Sequence, residues 1–189
     1  MKFKFNKKGF TLIELLAVIV ILGVLLAIAV PAVTKYINSS KKSTFISNVK
    51  QYADSARTDA LAGVYQFPVS QNHATVVGFG TIYPSLEKGG KTSSYDAEWD
   101  TTKSFVIIVN SGEPTAPKYE YYIAAIDKAG YGIGNLVNSV ASADYIEYNE
   151  LKSDNVVQLG TDAAAGLSLP TAGSKITIGG TEITIDKVN

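Results

Sequence analysis

The stretch Lys7–Val33, KKGFTLIELLAVIVILGVLLAIAVPAV, decides the fold of this 189-residue chain. From Leu15 to Val33 it contains no charged or hydroxylated side chain, and Glu14 is the only charge between Lys8 and Lys35. At about 1.5 Å per residue, a helix of roughly 19 residues is long enough to cross a hydrocarbon core of about 30 Å. The sequence therefore predicts one membrane-spanning helix.

The charges are distributed unevenly around this apolar run. The chain has 17 basic and 17 acidic residues, and its first nine residues, MKFKFNKKG, hold four lysines and no acid. Lysines before the span predict a cytoplasmic N-terminus and an exported C-terminal region. Without the first nine residues, 13 basic residues (17 minus 4) would face 17 acidic ones. Such a region lacks the concentrated basic face that nucleic acids require, so DNA is a partner that the sequence allows but does not indicate.

The composition excludes several kinds of site. The chain has no cysteine, which excludes disulfides, thiolate nucleophiles and cysteine metal sites. Its single histidine, His73, excludes zinc sites built from three histidines. Since no nucleophile, base and orienting group occur as a set, we expect no enzyme, no cofactor and no metal site.

Three processing routes fit a basic segment followed by an apolar run. A secretory signal would be cut after a small-x-small motif such as Ala27–Ala29, and its apolar core is usually about 7–15 residues without acid. A plain membrane anchor would stay uncut, and a third kind of leader is cut before the apolar run. Neither a secretory signal nor a plain anchor has a use for Glu14, and a carboxylate at this position in lipid costs of order 1–3 kcal/mol. Span length and Glu14 favour the third route and leave the other two open.

The segment Lys7–Leu16, KKGFTLIELL, resembles the prepilin motif of type IV pilins and pseudopilins. That motif has a basic leader ending in Gly, then Phe, an apolar stretch, and Glu as the fifth residue after the cut. The resemblance covers about residues 1–62 and implies cleavage between Gly9 and Phe10. It also implies that Phe10 becomes N-methylphenylalanine.

The same resemblance implies a role for Glu14 in assembly. In this family the carboxylate meets the Phe amine of a neighbouring subunit, here Phe10, as the helix enters the filament. A carboxylate in lipid needs a cation, and a methylated amine keeps its charge. The alternative is an interfacial glutamate that reaches up to the headgroups.

The predicted function is that of a structural subunit of a type IV pilus. The implied partners are further copies of the chain, other pilins, the prepilin peptidase/methyltransferase and the pilus assembly platform in the membrane. We expect a single-pass precursor in the cytoplasmic membrane that later becomes part of an extracellular pilus. Two alternatives remain: a pseudopilin of a type II secretion or competence system, and a membrane-anchored binding module that never polymerises. The lack of cysteine favours a Gram-positive source.

Gly23 and Pro31 are predicted to weaken the helix. Proline removes a helical N–H and clashes with the preceding turn, and many family members carry a kinking proline at this position. A static kink and a segment that unwinds on packing are both consistent with the sequence.

The remaining chain predicts an α+β, pilin-like fold in which one long helix packs on an antiparallel sheet. The predicted divisions are a leader (1–9), a membrane and filament-core helix (10–33), its amphipathic continuation (34–62), a connecting loop (63–103) and a sheet region (104–189). Apolar residues at helical spacing define the buried stripe of the continuation, and Gly63 ends it. The stripe consists of Phe45, Val49, Tyr52, Ala53, Ala56, Ala60 and Leu61.

Two hairpins and a short helix are predicted in the sheet region. The β-branched and aromatic runs Ser104–Asn110 and Lys118–Ile126 form the first hairpin. A short helix is predicted near Leu136–Tyr148. Lys175–Ile178 and Thr181–Ile185 form the second hairpin around Gly179-Gly180. Its register should place four isoleucines on one face: Ile176, Ile178, Ile183 and Ile185.

Other candidate sites have weak patterns. The GxGxG run at 130–134 lacks the spacing and setting of a phosphate loop and is interpreted as a turn. His73 has no carboxylate within ten residues and is interpreted as a solvated loop histidine. No calcium-loop pattern supports the acids, and Asn38 fits only the short glycosylation pattern N-x-[ST]. The acids considered for calcium are Asp127, Asp144 and Asp154.

Overall fold

A computed structural model describes residues 10–82, 90–134, 145–160 and 167–189. The chain divides into two compact units, one up to Ser40 and one from Lys41 to Asn189. The division falls inside helix α1, Leu12–Leu61, which begins and ends within two residues of the predicted bounds 10–62. The leader 1–9 lies outside the described residues.

In the first unit, no side chain from Phe10 to Ser40 is buried. The helix runs through Pro31 without interruption, and the hydroxyl of Thr34 donates to the carbonyl oxygen of Val30 at 2.9 Å. The helix is therefore not melted at Pro31. A kink at Gly23 or Pro31 stays a prediction.

In the second unit, the rest of α1 buries one face against the sheet. Six of the seven predicted stripe residues are buried, and Ile46 joins them. Leu61 is an error of the prediction, since its exposed fraction is 69%. Successive helical residues are about 100° apart, and in the last turn the buried face includes Ala60 and ends before Leu61.

The helix ends as predicted at Gly63, which has a φ of 80°. The N–H of Gly63 donates to the oxygen of Ala60, and the N–H of Val64 donates to that of Asp59, at 3.0 and 2.9 Å. This pair of bonds is the Schellman motif, in which a residue of positive φ closes the last helical turn.

A six-stranded, mostly antiparallel sheet forms the centre of the second unit. Its strand order is β5-β3-β2-β1-β8-β7, and the one parallel pair is β1 with β8. The strands β4 and β6 form a separate antiparallel ribbon. The described residues form the strands β1 (His73–Gly78), β2 (Phe105–Asn110), β3 (Tyr119–Ala124), β4 (Tyr131–Ile133), β5 (Ile146–Glu147), β6 (Val156–Gln158), β7 (Lys175–Ile178) and β8 (Thr181–Val188).

The predicted loop 63–103 is corrected by the structure, because it contains strand β1 and the short helix α2, Phe79–Ile82. Five of the six β1 residues are buried. A strand buried on both faces shows no alternation of polar and apolar residues, and β1 has only six residues to provide a signal.

The sheet is covered on both faces. One core cluster lies between α1 and the sheet and includes Phe45, Tyr52 and Trp99. A second cluster lies on the opposite face and includes Phe105, Leu167 and five isoleucines of the sheet. All six residues of β2 are buried, as expected for a central strand with covered faces.

Both predicted hairpins are confirmed. β2 pairs with β3 in antiparallel register, with Asn110 opposite Tyr119. β7 pairs with β8 so that Ile176 lies opposite Ile183 and Ile178 opposite Thr181. The four isoleucines of this second hairpin are buried, and β8 continues three residues beyond the predicted end at Ile185 to pair with β1.

The helix predicted near Leu136–Tyr148 is wrong in its described part. Residues 135–144 lie outside the described residues. Ile146 and Glu147 form β5, opposite Ile123 and Tyr122 of β3, and a 3-10 turn follows at Tyr148–Glu150. Pairing with the free side of β3 outweighs the local helical preference of this segment.

Candidate assembly site

The start of α1 is fixed by a reciprocal capping box between Thr11 and Glu14. The carboxylate oxygen Oε2 of Glu14 accepts hydrogen bonds from the backbone N–H and the hydroxyl of Thr11, at 2.8 and 2.9 Å. In return, the N–H of Glu14 donates to the hydroxyl oxygen of Thr11 at 3.3 Å. These bonds satisfy N–H groups that have no partner within the helix.

Among the described residues, no cation forms an ion pair with Glu14. Both incoming bonds end on Oε2, and none of the ion pairs formed by the described residues includes Glu14. Phe10, four residues before it, has an exposed fraction of 86%. The carboxylate is therefore oriented by its own chain while its charge remains open to a cation from elsewhere.

The sequence contains a local signal for this cap. Thr11-Leu12-Ile13-Glu14 matches the pattern [ST]-x-x-E in front of an apolar run. The hydrogen-bonding role of Glu14 at the helix start is therefore a finding of the structure that adds to the role predicted from its charge. Gly9, on the other side of the predicted cut, lies outside the described residues.

α1 also meets the requirement for a membrane span. In the part of the chain that the structure describes, it is the one helix long and apolar enough to cross a membrane, and its most apolar 18-residue window is wholly exposed. Among the described residues, no atom outside the helix lies within 4 Å of a Cβ placed on Gly23. The apolar surface is thus available to lipid or to another helix.

The histidine interpretation is corrected by the structure. His73 begins β1 rather than lying in a loop, and its Nδ1 is 2.6 Å from a carboxylate oxygen of Asp186 on β8. The two residues are 113 positions apart, so proximity in sequence could not reveal the pair. The pair lies across the one parallel strand pairing of the sheet.

The acids considered for calcium do not form a described metal site. Asp127 is buried, and its carboxylate accepts bonds from the hydroxyl of Ser93 and from the N–H groups of Ala129 and Tyr131. Asp144 lies outside the described residues, and Asp154 lies in a 3-10 turn. No group of three or more His, Cys, Asp or Glu that could hold a metal occurs in residues 10–82, 90–134, 145–160 and 167–189.

The glycine run at 130–134 serves a close approach of two backbones. A Cβ on Gly130 would lie 2.7 Å from the carbonyl carbon of Gly160, and one on Gly132 would lie 2.9 Å from the oxygen of Ala125. Gly132 is the middle residue of β4, so the run is a turn followed by a strand. The glycines are required by packing, and the run follows neither the spacing nor the strand–loop–helix setting of a phosphate loop.

Comparisons with known proteins concern the same N-terminal segment. Residues 4–30 match the family described as the prokaryotic N-terminal methylation motif. Three type IV major fimbrial proteins FimA from Dichelobacter nodosus are each 44% identical to this chain over 57 residues. That match covers 30% of this chain and 36% of each FimA, so the aligned segment spans about a third of the length of each of these relatives. No solved structure matches the chain.

Three findings therefore coincide. The matched segment contains the capped Glu14, which has no ion pair among the described residues, and the exposed apolar helix; the second unit has one helix packed on a mostly antiparallel sheet. The chain has the prokaryotic N-terminal methylation motif and an α+β architecture, and its N-terminal segment is similar to that of type IV major fimbrial proteins.

Proposed function

We propose that this protein is a prepilin, the structural subunit of a type IV pilus. In this proposal it is cleaved after Gly9, methylated on the amine of Phe10, and polymerised through its N-terminal helix. The observation that carries the proposal is the complete exposure of residues 10–40, which includes an apolar run with a single carboxylate at its start.

The exposed helix needs an apolar environment both before and after assembly. Burial of apolar surface contributes roughly 25 cal/mol per Å², so a span that its own chain leaves uncovered is stable in lipid before assembly. After assembly, the same surface must be covered by the helices of other copies. Such packing is heterologous and open-ended, as filaments require.

Glu14 links the two environments. Its carboxylate is oriented by Thr11, and cleavage before Phe10 would create the cation that it lacks. An amine from a neighbouring copy would compensate the cost of the carboxylate in an apolar surrounding and would fix the stagger of the two helices. The partners in this scheme are further copies of the chain, other pilins, the peptidase/methyltransferase and an assembly platform.

A Glu14→Val variant tests the proposal in cells that carry the processing and assembly proteins. We expect normal precursor levels and at least about a tenfold loss of surface filaments, because an unpaired amine in an apolar interface costs more than 1.4 kcal/mol. The matched control is Glu113→Val, an exposed acid outside the helix, which should leave filament yield unchanged. Normal filaments in Glu14→Val would contradict the proposed role of Glu14 in assembly. A processed wild-type chain that forms no filaments would instead support a membrane-anchored module that does not polymerise.

A further inference from the structure

Most of the exposed large apolar side chains outside the first unit lie in one short segment of the chain. Among the described residues of Lys41–Asn189, four large apolar residues are exposed, and three of them lie within nine positions. Leu61, Val64 and Val69 are 64–70% exposed, and we call them the distal patch. The fourth, Val157, is less exposed and lies on the β4–β6 ribbon.

The backbone around the distal patch is fixed. The Schellman motif holds Val64, and the side-chain amide of Asn110 donates to the carbonyl oxygen of Val69 at 3.0 Å. Between them Tyr65 is buried, and the ring of Phe67 lies 4.3 Å from that of Tyr119. The segment thus turns its aromatic residues inward and presents Leu61, Val64 and Val69 to the surroundings.

A second exposed apolar pair lies just beyond the predicted span. Tyr36 and Ile37, the proximal patch, are 77% and 48% exposed and follow the apolar run that ends at Val33. A run of roughly 19 residues fills a hydrocarbon core of about 30 Å. The proximal patch therefore lies at or beyond the outer edge of the membrane, where lipid tails do not cover it.

The charges around the two patches are complementary. From Thr34 to Lys50, helix α1 carries four lysines and no acid, and Lys35 lies next to the proximal patch. From Gln51 to Ala62, beside the distal patch, it carries two aspartates and one arginine. Opposite net charges favour contact between the two helix segments of different copies over contact between like segments.

We propose that the distal patch of one copy packs against the proximal patch of another copy in the filament, a different neighbour from the one whose amine meets Glu14. The partner is a second copy of this chain, since each copy exposes both surfaces and a polymer brings many copies together. Different surfaces meet, so the contact is heterologous and continues from copy to copy. This inference rests on the proposed function and adds a specific contact to it.

Cysteine pairs test this contact on a chain that has no natural cysteine. In sheared filaments of the double variant Ile37→Cys, Leu61→Cys, mild oxidation should produce a ladder of covalent multimers on a non-reducing gel. Each single variant should give no ladder. The matched control pairs Ile37→Cys with Thr177→Cys, an exposed position on β7, and should also give none.

A charge placed in the distal patch provides a second readout. Leu61→Lys should lower filament yield by at least about tenfold, because the contact would place another cation against the lysine-rich segment beside the proximal patch. Gln51→Lys adds the same charge at an exposed position of the same helix and should keep wild-type yield. Both residues are exposed, so equal precursor levels in the membrane and equal cleavage should show that folding is intact.

The outcomes separate the two proposals. Filaments of the Ile37→Cys, Leu61→Cys variant that give no ladder, together with full yield for Leu61→Lys, would contradict the contact alone. A processed wild-type chain that forms no filaments would contradict the proposed function and the contact with it. A ladder with the Thr177 control pair as strong as with Leu61 would also contradict the specific contact.

Discussion

Two apolar runs of this chain have opposite surroundings. β2, with the sequence FVIIVN, is buried on every residue by its own chain. The run Leu15–Val33 has a similar composition, and none of its residues is buried. Apolar composition alone therefore does not indicate where a segment packs. The difference follows from length and setting, because a short strand fits inside one sheet and a helix of about 30 Å does not.

The comparison separates two kinds of stability. Burial of β2 stabilises the fold of a single copy, whereas burial of the N-terminal run depends on lipid or on other copies. Paired substitutions, one in each region, distinguish these contributions. Trp99 is the single tryptophan of the chain and is buried in the second unit, so its fluorescence reports unfolding there.

The largest difference is expected for isoleucine truncation. Ile108→Ala removes a fully buried side chain of β2 and should lower the free energy of unfolding by about 3 kcal/mol. Ile21→Ala, at a 59% exposed position of α1, should leave it unchanged within about 0.5 kcal/mol. Denaturation of the detergent-solubilised chain, followed by Trp99 fluorescence, measures both. Equal losses would contradict the separation of the two regions.

A pair of glycine substitutions compares the two regions by adding a methyl group to each, rather than by removing contacts. Gly130 has a φ of 83°, and an added Cβ would lie 2.7 Å from the carbonyl carbon of Gly160. Gly130→Ala should therefore cost about 2–3 kcal/mol in the same unfolding assay. Gly23→Ala meets open space among the described residues and should leave unfolding of the second unit unchanged. A Gly130→Ala variant as stable as wild type would show that the two backbones do not approach closely.

A smaller effect is expected from acid. Glu120 accepts hydrogen bonds from Lys118, Ser111 and Tyr122, and the bond from Lys118 is the main cause that lowers the pKa of Glu120. A lowered pKa in the folded state adds stability above the unfolded-state pKa and loses it as pH falls through the folded-state pKa. Glu120→Gln should lower the free energy of unfolding by about 1 kcal/mol at pH 7.

The pH profile provides the control for this prediction. Between pH 7 and pH 3, the wild-type protein should lose more stability than Glu120→Gln, so the difference between them should shrink. Glu14→Gln should leave the unfolding of the second unit unchanged at both pH values, since Glu14 lies in the first unit. A constant difference between wild type and Glu120→Gln would contradict the pKa direction.

Local patterns predicted much of this fold. The helix bounds, the stop at Gly63, the β2–β3 hairpin and the register around Gly179-Gly180 each depend on neighbouring residues, which a sequence displays directly. The capping box of Thr11 and Glu14 is equally local and could have been found. These features follow from helical period, turn geometry and capping chemistry.

Distant pairings could not be predicted in the same way. β1 pairs with the last strand in parallel, and its six residues carry no local signal for a partner strand so far along the chain. The contact of His73 with Asp186 follows from that pairing alone. The exposure of Leu61 depends on whether the fold covers both Ala60 and Leu61 or Ala60 alone. The apolar stripe in the sequence does not distinguish these two cases.

The mature N-terminus of the subunit in sheared surface filaments tests the central claim most directly. Intact mass and N-terminal sequencing would be made on filaments from cells that carry the processing enzyme. We expect a chain that begins at Phe10 and is heavier by one methyl group. A chain that still begins at Met1, or one that begins near Val30 without the helix, would contradict it.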